Sequence, residues 1–120
     1  MKVYIPLNEK GVNELNSWQE TETENLKIVV FSGDDYKYLE DRKYLDFLNV
    51  ECDCLIDLYE NEDIPNEKLK NALEVTELLI NNSDDERYIG LLNRFKNIFS
   101  LAIDCNTYVN IYCYGEKSEG

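Results

Sequence analysis

Tyr88, Leu91, Leu92, Phe95, Ile98, Phe99 and Ala102 recur at the spacing of one helix face. An apolar stripe of this length stays on one side of a helix and must be buried against another layer. Arg87, Asn93, Arg94 and Lys96 fall on the opposite, polar face. The segment Ser83-Asp84-Asp85-Glu86 reads as a capping box ahead of the stripe, with acids suited to the positive end of the helix dipole. Asn106 fits a left-handed stop. A second helix precedes it. Asn66 reads as its cap, and Leu69, Ala72, Leu73, Thr76, Leu79 and Ile80 form its buried face up to about residue 81.

Strands must supply the opposing layer. KVYIP (2–6) reads as a short strand that Pro6 ends. Asn8 then caps a helix whose residues Val12, Leu15 and Trp18 face the core, with Gly11 weakening it. QETETEN (19–25) is a polar loop. LKIVVFS (26–32) is the strongest strand, and its near-continuous apolar run predicts burial on both faces. A short helix is expected within 35–48. Val50, Cys52, Cys54, Ile56 and Leu58 alternate with Glu51, Asp53, Leu55, Asp57 and Tyr59, which favours a strand with one wet face. The helical alternative places Leu48, Cys52, Leu55 and Tyr59 together. TYVNIYCYG (107–115) is the last strand, with Tyr108, Tyr112 and Tyr114 on one face as either a dimer surface or a core edge.

The expected fold is therefore α+β or α/β, a single layer of about four strands packed against three to four helices. Residues 1–115 form one domain, and 116–120 form a frayed tail. The 120 residues are 43% hydrophobic, which is enough for a core and too apolar for a disordered acidic tail.

The chemistry available is narrow. The chain contains no histidine, which removes the commonest general base and most zinc and iron sites. Five glycines leave little room for a phosphate-binding loop. Cys52 and Cys54 lack the CxxC spacing of structural zinc sites, and they read with Cys105 and Cys113 as buried free thiols. DLYENED (57–63) lacks the regular calcium-loop pattern. No metal, cofactor or catalytic residue is assigned, and the chain is read as a non-enzyme. No signal peptide or membrane span is evident, so a cytoplasmic location is expected.

The charge is more informative. Net charge is −13, from 25 acids against 12 bases. That argues against direct binding to nucleic acid or to an anionic membrane. From Tyr44 to Glu67 there is no base, whereas Asp46, Glu51, Asp53, Asp57, Glu60, Glu62, Asp63 and Glu67 are all acids. Acids concentrated in this way repel one another, and a cationic partner would offset that repulsion. A solvated acidic face is the plainer reading. The candidate docking surface is Glu51, Asp53, Asp57, Tyr59, Glu60, Glu62 and Asp63, with Tyr59 packing between the acids.

The succession LIDLYENEDI, PNEKLKNALEV, SLAIDCN and TYVNIY over residues 50–114 resembles the cytosolic immunity proteins of bacterial polymorphic and contact-dependent toxin systems. The resemblance is one of element order and composition, and it carries no binding residue across. It implies a cognate toxin bound and neutralised in the cytosol, often by covering its active site, and the charge argument makes the expected partner basic, such as a nuclease. The alternatives are a phage-encoded DNA mimic, which would show two rows of acids spaced like phosphates, and a metal-binding or adaptor protein. Oligomeric state is left open.

Overall fold

The stripe from Tyr88 to Ala102 is buried along its whole length on α5 (Glu86–Asp104). The computed structural model describes residues 1–57 and 61–113. Along the chain, β1 (Lys2–Pro6), α1 (Glu9–Asn16), β2 (Leu26–Val30), α2 (Gly33–Asp41), α3 (Tyr44–Cys52), β3 (Asn61–Ile64) and α4 (Asn66–Asn81) precede α5, and β4 (Val109–Tyr112) follows it. The strands form one antiparallel sheet in the order β2-β1-β4-β3. The fold is α+β. The described residues contain five helices, more than the three to four expected.

Strand alternation divides the sheet into two different faces. Val3, Ile5, Ile64, Val109 and Ile111 are fully buried and join the core made with α3, α4 and α5. Phe95 sits at the centre of that core, stacked on Phe31 at 4.7 Å and tilted against Tyr44 at 5.0 Å. Tyr44 and Thr76 share a buried hydroxyl hydrogen bond of 2.7 Å, and Thr76 also donates to the Ala72 carbonyl. The other face carries Lys2, Tyr4, Asn110, Tyr112, Asn61 and Asp63. Among the described residues, α1 packs against that side, over β1 and β2.

Several elements differ from expectation. LKIVV forms an edge strand, and Val30 is 58% exposed. The β-branched run reads alike at an edge or a centre, and the first and last strands of the chain took the central places. The interval 35–48 holds parts of two helices, broken at Lys43 in the left-handed region (φ 60°). The expected strand at 50–58 is absent among the described residues. Helix α3 runs to Cys52 and stops at Asp53, also left-handed (φ 52°). Burial still alternates at Cys52, Cys54 and Ile56. A side chain replaces the missing ladder: the Asn49 amide accepts from the Ile56 N–H at 2.7 Å and donates to the Ile56 carbonyl at 3.1 Å.

Two caps move and one holds. Pro65 precedes α4, so Asn66 is its first helical residue and reaches the Thr107 carbonyl at 2.8 Å. Asp85 caps α5, accepting from the Arg87 and Tyr88 N–H groups, while Ser83 accepts from the Asp85 N–H. Asn8 caps α1 as expected, by accepting from the Gly11 N–H. Val12 and Leu15 are half-buried, but Trp18 lies beyond the helix and is 79% exposed. Asn106 is left-handed (φ 55°), as its place after α5 suggested. The tail 116–120 and Leu58 lie outside the described residues.

Candidate functional site

The acidic segment is not one strand face. It winds through α3, an extended loop and the edge strand β3, so its carboxylates take different tasks. Glu51 is exposed on the last turn of α3, and its carbonyl accepts from Asn71, which ties α3 to α4. Asp53 is exposed at the left-handed stop. Asp57 is exposed, five residues beyond the end of α3. Glu62 turns back and accepts from the Leu55 N–H at 2.6 Å, holding the loop against β3. Asp63, its neighbour in the strand, points to the other sheet face and accepts from Asn110 at 2.8 Å. Tyr59 and Glu60 lie outside the described residues. The structure thus gathers Glu51, Asp53, Asp57 and Glu62 around the loop and sends Asp63 elsewhere.

One carboxylate from outside the base-free run, Glu40, joins this side. Burial raises the pKa of Glu40, and Asp46 raises it further, partly opposed by Lys43. Tyr36 is raised by burial and then by Glu40, with a contribution from Asp57. Burial pushes the Cys113 thiol up to about 12, and Glu40 and Asp57 add to the rise. Glu40, Asp46 and Asp57 therefore act on a shared neighbourhood.

The arginines are committed elsewhere. Arg42 donates to Asp85 at 2.9 Å and lies 3.5 Å over the Tyr38 ring, while the Tyr38 hydroxyl donates to the same carboxylate at 2.6 Å. Arg87 and Arg94 both pair with Asp35, and Arg94 also donates to the Val30 carbonyl and covers Phe31. All three arginines thus brace α2 and β2 against α5.

Cys52 and Cys54 are buried free thiols. A hydrogen bond between them lowers Cys52 and raises Cys54, and burial adds to the rise at Cys54. Cys54 also approaches the Leu48 carbonyl and Asn49. Among the described residues no group of three His, Cys, Asp or Glu side chains is placed to hold a metal ion. No helix among them is long and apolar enough to cross a membrane.

The open sheet face holds a groove of about 420 Å³. Tyr4, Tyr108 and Tyr112 are half-buried in it, Asn110 lies at its base, Asp63 is at the β3 side, and Trp18 and Glu20 close the α1 side. The Tyr4 phenol is raised by burial, then by Tyr112 and Glu20, and Tyr108 by burial and Asp63. Trp18 is held in the left-handed region at φ 63°, two residues past the end of α1 and directly after its cap Ser17. A bulky residue there is strained, since glycine ordinarily takes this position. The tyrosines at 108 and 112 were visible as one strand face. Trp18, Tyr4 and Glu20 were missed because they come from other elements, which the pairing of β1 with β4 and the packing of α1 on β1 bring together.

Compared with known protein families, curated proteins and solved structures, the chain matches none.

Proposed function

We propose that this chain is a non-enzymatic acidic inhibitor that binds and occludes a basic protein, with the toxic domain of an interbacterial effector as its partner. The observation that carries the reading is how the charges are divided. The arginines are spent on Asp35 and Asp85, while Glu51, Asp53 and Asp57 project from a segment with no base of its own. Such a surface steers a cationic partner through long-range attraction and pairs with its lysines and arginines on contact. A nuclease, whose site must carry positive charge for phosphate, fits this partner class. Action in the cytoplasm is part of the proposal, and the free thiols agree with a reducing compartment.

Immobilised protein exposed to lysate of its source organism, washed at low and then high salt, tests the reading. The control variant carries Asp46→Lys, Glu51→Lys and Asp53→Asn. It avoids Glu62, which the fold uses, and asparagine tolerates the left-handed position. The expected result is one basic protein retained by the native chain, released by salt and lost by the variant. A folded variant that retains the same proteins as the native chain refutes the proposal.

A further inference from the structure

We propose that the groove on the open sheet face is a receptor for an arginine side chain presented by the partner protein, a specificity pocket distinct from the acidic loop. The inference rests on the reading of the chain as a binder of a basic protein and adds where one residue of that partner is held.

The sheet register sets out the floor. One cross-strand row runs Lys2, Tyr112, Asn61, and the next runs Tyr4, Asn110, Asp63. Three tyrosines and Trp18 therefore line a trough with carboxylates at two sides, Asp63 on β3 and Glu20 beyond α1. Aromatic faces attract a cation, and a planar guanidinium can stack on a ring while its N–H groups reach a carboxylate. Asp63 is already oriented, because Asn110, only 7% exposed, donates to its Oδ1. Lys2 also lines the groove, but it stands two strands from Asp63, roughly 10 Å away. Its charge directs an incoming cation toward the Asp63 end.

The same chemistry is already present inside this molecule. Arg42 stacks at 3.5 Å on Tyr38 and bonds to Asp85, and the tyrosine hydroxyl bonds to that same carboxylate. The groove turns the same residue types, Tyr108 and Asp63, outward. Trp18 and the tyrosines are also the residue types that dominate binding energy at interfaces. The cost of holding Trp18 left-handed is easiest to understand if the indole is used as a wall.

The probe is N-acetyl-arginine amide, titrated into the ¹⁵N-labelled chain, with the neutral isostere N-acetyl-citrulline amide as comparison. Trp18 is the sole tryptophan, so its indole N–H is an unambiguous reporter. The expected result is movement of that signal and of the amides of Tyr4, Asn110 and Tyr112, with arginine binding roughly fivefold tighter than citrulline. Asp63→Asn keeps the acceptor for Asn110 and should remove most of that preference. Trp18→Gly should weaken binding without harming the fold. Equal response to citrulline, movement confined to the acidic loop, or no movement overturns the pocket. The two proposals fail separately. If folded groove variants keep a partner that the acidic-loop variant loses, the pocket is wrong and the inhibitor reading stands. If arginine fills the groove as expected while the acidic-loop variant keeps every bound protein, the pocket stands and the inhibitor reading falls.

Discussion

Gly11→Ala is the substitution on which helix propensity and tertiary structure disagree in sign. In an exposed helix, alanine is favoured over glycine by about 1 kcal/mol. In this fold α1 lies so close to the segment before β2 that a Cβ at position 11 would sit 1.9 Å from the Asn25 carbonyl oxygen, 3.0 Å from its carbon and 3.2 Å from the Pro6 Cα. All three are backbone atoms, so no side-chain rotation relieves the contact. The Asn25 carbonyl also accepts the Leu7 N–H at 2.9 Å, and this bond breaks if the carbonyl moves. Forced overpacking costs about 1–3 kcal/mol, and a lost hydrogen bond about 1 kcal/mol. Less the propensity gain, the net loss is about 2 kcal/mol. With a urea slope of about 1.5 kcal/mol/M, the unfolding midpoint should fall by about 1.3 M. Equilibrium urea unfolding followed by far-UV circular dichroism reads this directly. An unchanged or raised midpoint would show that α1 does not approach Asn25 in this way, and the wall of the groove would have to be redrawn.

Thr76→Val should cost about 2 kcal/mol and Tyr44→Phe about 1 kcal/mol in the same assay, because only the former strands a buried phenol hydroxyl. Their double variant should lose less than the sum. Tyr88→Phe should raise stability by about 1 kcal/mol, since the Tyr88 hydroxyl is buried with no hydrogen-bond partner among the described residues. Asp85 is held below the ordinary carboxylate range, first by the Tyr38 hydroxyl and also by the Tyr88 N–H and Arg42. A lowered folded value means that its stabilisation is complete above the unfolded value of about 3.9 and is lost as pH falls through the folded value. The melting-temperature gap between the native chain and Asp85→Asn should therefore be widest near neutrality and close in acid. In native protein at pH 8, iodoacetamide should label Cys105 first, and Cys52, Cys54 and Cys113 only once urea exposes them, as peptide mass spectrometry would show.

Much of the inner side of this fold was legible residue by residue. The stripe on α5 is buried as its spacing requires, and Val109 and Ile111 turn inward as alternation in the last strand requires. Both follow from one element's own period. The segment 50–58 was misread because alternating burial does not need a sheet partner. Asn49 supplied the hydrogen bonds that a neighbouring strand would have supplied. The candidate acids were visible as a base-free run, but their common direction was not. Glu62 and Asp63 are adjacent in sequence and point to opposite faces of β3, one into the loop and the other into the groove.

The sequence alone determined which residues had to be buried on the long helices and the last strand, and where negative charge would accumulate, because periodicity and composition are local properties. Strand order, the close approach that makes Gly11 necessary, and the meeting of Trp18, Tyr4, Tyr112 and Asp63 in one groove were decided only by tertiary structure. Each depends on which distant segments pair, and β1 pairs with β4 across nearly the whole chain. No local pattern encodes that choice, because an edge strand and a central strand of the same composition differ only in their neighbours.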